Sequence, residues 1–239
     1  MKKLSTLLFA GVMLLTGSVA NAQSAEEIVK KHNEAIGGID AWKKVSSIVY
    51  TGSMNAQGQE IGVVVSMLDG KGVRQDISIM GMANYIISTP TAGWMFFPVQ
   101  GQTKPEPLTA DLVKEGADDL FVMDPLTGAE TQGSKIELIG KDDVDGTECF
   151  KLKVTSKSGN VKTAFVDPAT FYIIRETEKQ KADGKEQEVI SNYGNFTKLT
   201  EGIVVPMSLE SNAFGAIKFT KAEINTIKDD SIFKPSTGG

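Results

Sequence analysis

The chain has 239 residues, 41% of them hydrophobic and 23% charged, with 25 basic residues against 30 acidic ones and a formal net charge of −5. That acidic balance argues against nucleic acid or an anionic membrane surface as the main partner, because both call for a positively charged face. A single cysteine, Cys149, excludes an intramolecular disulfide, so the core alone must stabilise the fold.

The first residues read as a targeting segment. Met1-Lys2-Lys3 is basic, Leu7 to Leu15 is apolar, and Ala20-Asn21-Ala22 has the form of a signal-peptidase site. Residues 1–22 are therefore expected to be a signal peptide cleaved near Ala22, which places the mature protein, from Gln23, in the periplasm. The apolar run is short for a membrane span, and no cysteine follows the cleavage site to carry a lipid anchor. Removing Lys2 and Lys3 leaves 23 basic residues against 30 acidic ones, a charge of −7. No Pro/Gly/Ser-rich linker interrupts residues 23–239, which are expected to form a single domain.

Ser24 to Ile36 has the pattern of an amphipathic helix, with Ser24 as cap, Glu26 and Glu27 in the first turn and Gly37-Gly38 as the stop. Asp40 caps a short turn containing Trp42. Five short strands are expected next, over Ser47–Met54, Ile61–Leu68, Val73–Ile79, Tyr85–Ser88 and Gly93–Phe97, separated by turn residues such as Asp69-Gly70. Pro105-Glu106-Pro107 ends that series. Thr109 can then cap a helix over Leu108–Leu120, with Leu108, Leu112, Gly116 and Leu120 on one side and Asp111, Lys114, Glu115 and Asp118 on the other.

From Lys135 to Glu178 apolar and polar residues alternate, through Ile136 and Leu138, Phe150, Leu152 and Val154, Val161 and Phe165, and Phe171 and Ile173. Asp145-Gly146, Ser158-Gly159-Asn160 and Asp167-Pro168 supply the reversals, which predicts a meander of four antiparallel strands. Further strands are expected over Glu188–Tyr193, Ile203–Glu210 and Ala216–Ile227. An antiparallel sheet of that length does not stay flat, because strand twist curls it towards a barrel or splits it into a sandwich. The Leu108–Leu120 helix is expected across its concave face.

Motifs for chemistry are mostly missing. The sequence contains no Gly-rich phosphate loop before a helix, no H-E-x-x-H and no G-x-S-x-G, and no cofactor or metal is implied. The one histidine, His32, lies among lysines on the first helix and is expected to be a solvated surface residue. Asp142, Asp143 and Asp145 form the densest acidic group, but in a hairpin turn, where carboxylates are usually solvated and no EF-hand spacing surrounds them. Cys149 is expected to be a buried, structural thiol.

The informative residues are apolar. Met54, Met67, Met80, Met82, Met95 and Met123 precede or adjoin the meander, alongside Trp94, Phe96, Phe97 and Phe121. Methionine is flexible and polarizable, which suits a surface that accepts an apolar ligand of imprecise shape, although such clusters also fill ordinary cores.

Three stretches carry a resemblance: the opening helix running into "GGIDAWKKVSSIVYTGSM", the strand "GWMFFP" followed by a proline-bearing loop and a helix, and "GKDDVDGTECFKLKV" leading into "TAFVDPATFYIIRE". In their order along nearly all of the mature chain they resemble the LolA/LolB-like superfamily of periplasmic lipoprotein carriers. The resemblance implies a mainly β fold, an unclosed and strongly curved antiparallel half-barrel with an N-terminal helix and a second helix covering the concave face. It also implies a non-enzymatic carrier whose apolar cavity takes acyl chains of lipoproteins or other lipids from an inner-membrane donor to an outer-membrane acceptor. Met67, Met80, Trp94, Phe96, Leu112, Leu120 and Phe121 are the expected cavity lining. Some carriers of the superfamily hold the lid closed with an arginine near a strand end; here the nearest is Arg74, expected at the mouth, though it follows Gly70-Lys71-Gly72 and not a proline-containing segment. Two other classes stay open on the residues alone: an envelope scaffold with a filled core, and a carbohydrate-active enzyme using two of the carboxylates.

Overall fold

A computed structural model describes residues 23–56, 58–182 and 185–236. The expected signal peptide lies outside the described residues.

The Ser24 hydroxyl accepts a hydrogen bond from the Glu27 amide and starts helix α1 (Ala25–Ala35), and the positive φ of Gly37 and Gly38 turns the chain into α2 (Ile39–Trp42). Then come β1 (Ser47–Ala56), β2 (Gln59–Leu68), β3 (Gly72–Ile79), β4 (Met82–Ser88), β5 (Gly93–Phe96) and the two-residue β6 (Glu106–Pro107). The helical interlude contains α3 (Ala110–Glu115) and α4 (Ala129–Gln132). The meander follows as β7 (Lys135–Val144), β8 (Thr147–Thr155), β9 (Val161–Val166) and β10 (Ile173–Ala182). The last strands are β11 (Lys185–Gly194), β12 (Thr197–Lys198), β13 (Val204–Val205), β14 (Ser208–Ser211) and β15 (Gly215–Ile224).

Thirteen of these strands form one antiparallel sheet in the order β6-β5-β4-β3-β2-β1-β15-β14-β11-β10-β9-β8-β7, while β12 and β13 pair separately. The edge strands β6 and β7 do not pair with each other, so the sheet is not closed into a barrel. β1 and β15 join the first and second halves of the chain at its centre. There the register slips between Thr51 and Gly52, and a Cβ on Gly52 would run into the Lys218 carbonyl, so the close approach of β1 to β15 requires glycine.

The strand positions agree with the alternation in the sequence apart from the unexpected two-residue strands β6 and β12 and four further local differences. The expected strand over Ile203–Glu210 is cut in two, because Pro206 has no amide proton to continue a ladder. Phe171 lies in a turn with φ of 59°, its amide bonded to the Asp167 carbonyl, and β10 starts only at Ile173. Phe165 does not share a face with Phe150 and Leu152: those two sit opposite Val166 and Ala164, so Phe165 packs on the reverse side with Val144 and Cys149. The expected helix over Leu108–Leu120 is a six-residue helix capped by Thr109, followed from Gly116 by a 3-10 turn.

Both faces of the sheet carry apolar clusters. On one face Ile28 of α1 and Leu126 pack onto Phe150, Leu152, Val154, Ala164, Val166 and Ile173. Ile36, Trp42 and Val45 continue that layer over Ile48, Val122 and Val204. On the other face, Tyr85, Ile87 and Phe96 are covered by Phe233 in a C-terminal 3-10 turn.

Candidate functional site

In-register neighbours of a sheet point to the same side, so rows of residues can be followed across it. Tyr50, Val65, Gln75 and Ile86 form one row across β1 to β4, and Met54, Ile217, Leu209 and Tyr193 form another across β1, β15, β14 and β11. Both rows face a cavity of about 910 Å³, at the upper end of the range of small-molecule sites. Tyr50 and Phe219 pack against each other within it, their rings tilted by 41° at a centroid distance of 4.9 Å.

The cavity is covered by residues 117–125 and not by α3. This covering segment is tied down at three places. The Leu120 carbonyl accepts from the Gly70 amide at 2.9 Å and the Val122 amide donates to Asp69 at 3.0 Å, which fixes it to the β2–β3 turn. Asp118 accepts from Ser158 and Asn160 at 2.8 Å each, and Asp119 pairs with Lys162, which fixes it to the β8–β9 hairpin. Asp124 holds α1 through His32. The cover thus bridges the two halves of the sheet.

Of the expected lining residues, Met67 and Phe121 face the cavity. Leu120 belongs to the covering segment and is buried without lining the cavity, and Leu112 on α3 is 44% exposed. Met80 is 74% exposed at the tip of the β3–β4 hairpin, where it and Gly81 take the positive φ of a tight turn. Trp94 and Phe96 sit opposite Ile87 and Tyr85 and belong to the reverse face. Arg74 is on that face too. It donates to Asp76 at 2.9 Å and to the Ile232 carbonyl at 3.0 Å and lies 4.6 Å from the Tyr85 ring, so it anchors the C-terminal turn and is not at the cavity mouth. The apolar lining missed in the sequence includes Val63, Val65, Ile77, Ile217 and Phe219. Their signal was period-2 spacing on β2, β3 and β15, which by itself does not say which face is empty and which is filled.

One end of the cavity is polar. His32 is buried, contrary to the expectation of a surface residue: Nδ1 is 2.7 Å from the Phe171 carbonyl and Nε2 is 3.2 Å from Asp124 Oδ2. Its spacing of four from both Ile28 and Ile36, on the buried side of α1, was the signal. Burial alone would lower the imidazole, but the Asp124 charge and hydrogen bond outweigh it and raise it above its ordinary value. Asp124 is conversely lowered; the charge of His32 and the bonds from His32 and Thr127 overcome the cost of burial. With both ring nitrogens engaged, His32 is not free to serve as a general base. Glu176 on β10 accepts from the Tyr193 hydroxyl at 3.0 Å, and burial pushes its carboxyl up to about 7 against the opposing charge of Lys162. Lys162, despite its burial, is held protonated by Asp119, Glu176 and Glu178.

The acidic hairpin is separate from the cavity. Asp142 pairs with Lys151 at 2.8 Å and Asp145 with Arg175 at 3.0 Å. Among the described residues no group of three or more His, Cys, Asp or Glu side chains is placed to hold a metal ion.

An unclosed, curved antiparallel sheet with an apolar cavity between it and a covering segment defines the LolA-like fold. Three solved structures share it. A LolA superfamily protein from Nitrosomonas europaea is 16% identical over 89% of this chain and 98% of its own, with a TM-score of 0.55. A candidate outer membrane lipoprotein-sorting protein domain from Vibrio parahaemolyticus is 12% identical over 88% of this chain and 95% of its own, with a TM-score of 0.53. A DUF1329 family protein from Desulfovibrio piger is 15% identical over 86% and 97%, with a TM-score of 0.52. At such identities the likeness is one of fold. No protein-family model and no curated protein matches the sequence.

Proposed function

We propose that the protein is a periplasmic carrier that holds acyl chains of lipoproteins or other lipids in its apolar cavity and passes them from an inner-membrane donor to an outer-membrane acceptor. The observation that carries this reading is the cavity itself: about 910 Å³ of space lies between the sheet and residues 117–125, where a structural protein would have a filled core. Burying about ten methylenes there is worth about 8 kcal/mol before the cost of ordering the chain. The likeness in fold to a candidate lipoprotein-sorting domain and to a LolA superfamily protein supports it. Transport on this reading is passive, with no covalent step and no cofactor, and release follows when the acceptor parts the cover from the sheet.

Native mass spectrometry of the protein taken from its own envelope, alongside titration with an apolar fluorescent probe, tests the reading. A co-purifying lipid that the probe displaces supports it. An empty protein that takes up no probe removes it and leaves the scaffold.

A further inference from the structure

We propose that the polar end of the cavity is a head-group subsite for a primary ammonium carried on an aliphatic chain, with Glu176 as its counter-ion. This rests on the carrier reading and adds the chemical class of the cargo's head.

Glu176 faces the cavity from the middle of β10, and its in-register neighbours Ala164 and Ser191 are two of the smallest side chains. Tyr193 donates to Oε2; among the described residues no hydrogen bond reaches Oε1. Most of the other charged groups nearby already have partners. Lys162 is ion-paired with Asp119 and Glu178 and lies near Glu176 without a direct bond to it, His32 is bound to Asp124, and Asp118 accepts from Ser158 and Asn160. What remains is an acceptor beside an apolar wall.

The charge balance selects the sign of the head. Asp118, Asp119, Asp124 and Glu176 line the cavity, with Glu178 just behind, against the cations Lys157, Lys162 and His32. A carboxylate or phosphate head would meet more like than unlike charge, and Lys162 is occupied. An ammonium brings three donors, which Glu176 Oε1 and neighbouring oxygens can accept as charge-assisted bonds. At a partly buried site each such bond is stronger than on an open surface. The aliphatic part would run from Tyr193 along the Leu209, Ile217 and Met54 row.

Displacement of an apolar fluorescent probe by dodecylamine, dodecanol and dodecanoic acid, slightly above neutral pH, is the test. The amine should bind about tenfold more tightly than the alcohol, and the acid more weakly than either, as expected for one charge-assisted contact at a desolvated site. In Glu176→Gln the ratio of amine to alcohol affinity should fall to about one. Should that variant not fold, the ranking in the unaltered protein decides alone. Equal binding of all three, or preference for the acid, overturns the subsite and leaves the carrier standing. Failure of every one to displace the probe overturns both.

Discussion

Nε2 of His32 lies 3.2 Å from Asp124 while Nδ1 lies 2.7 Å from the Phe171 carbonyl. A carbonyl and a carboxylate can only accept, so both ring nitrogens donate and the imidazole is held in its charged form. That ion pair joins α1 to the far end of the segment covering the cavity. Replacing His32 by alanine strands the Asp124 carboxylate and should cost about 3 kcal/mol in denaturant titration at mildly acidic pH.

The same pair sets a pH window. His32 is raised above 6.5, so its contribution is fully present below that value and fades as pH rises through the higher folded one. Asp124 is lowered below 3.8, so its contribution is present above that value and is lost as pH falls through the lower folded one. The stability gap between the unaltered protein and His32→Ala should therefore be widest between 3.8 and 6.5 and narrow on both sides. A gap independent of pH would show that the two groups are not paired in solution.

Glu176 acts in the opposite sense, with Lys162, Asp124, Asp119 and Tyr193 around it. Its carboxyl is raised from 4.5 to about 7, so the folded protein keeps a proton that the unfolded chain has released, and stability falls as pH rises across that interval. Glu176→Gln removes the titration. It should match the unaltered protein near pH 4 and exceed it by about 2 kcal/mol near pH 8, read from denaturant midpoints.

α3 and the cavity wall should respond differently to a buried-type charge. Leu112 is 44% exposed, so Leu112→Asp should cost under about 1 kcal/mol and leave probe uptake intact. Val65 faces the cavity in the row between Tyr50 and Gln75, and Val65→Asp should weaken probe binding by at least about tenfold. Loss of uptake in the Leu112 variant instead would restore α3 as the lid.

Cys149 is fully buried beside Val144 and Phe165, and burial, helped by the charge of Asp167, pushes its thiol up to about 11. The thiolate is the reactive form, so a bulky disulfide reagent near neutral pH should label the folded protein only at the rate at which it opens, and the denatured chain at once.

Period-2 alternation, hairpin glycines and the Ser24 and Thr109 caps are local signals, and from them the sequence determined the strands, most of their ends, the starts of both helices and the antiparallel order of the meander. Local signals do not say which side of a strand is hollow. On β4 and β5 both faces carry apolar residues, because Phe233 returns to cover Tyr85 and Phe96; Trp94 and Phe96 therefore looked like cavity lining until the sheet was assembled. Likewise a histidine among lysines looks solvated until Asp124, 92 residues further on, is brought against it, and Glu176 is one carboxylate among many until Tyr193 and Lys162 surround it. Alternation follows from backbone geometry and is written residue by residue, whereas burial and charge depend on what the rest of the chain places at a few ångströms. Only the tertiary structure decided the cavity, its cover and its polar end.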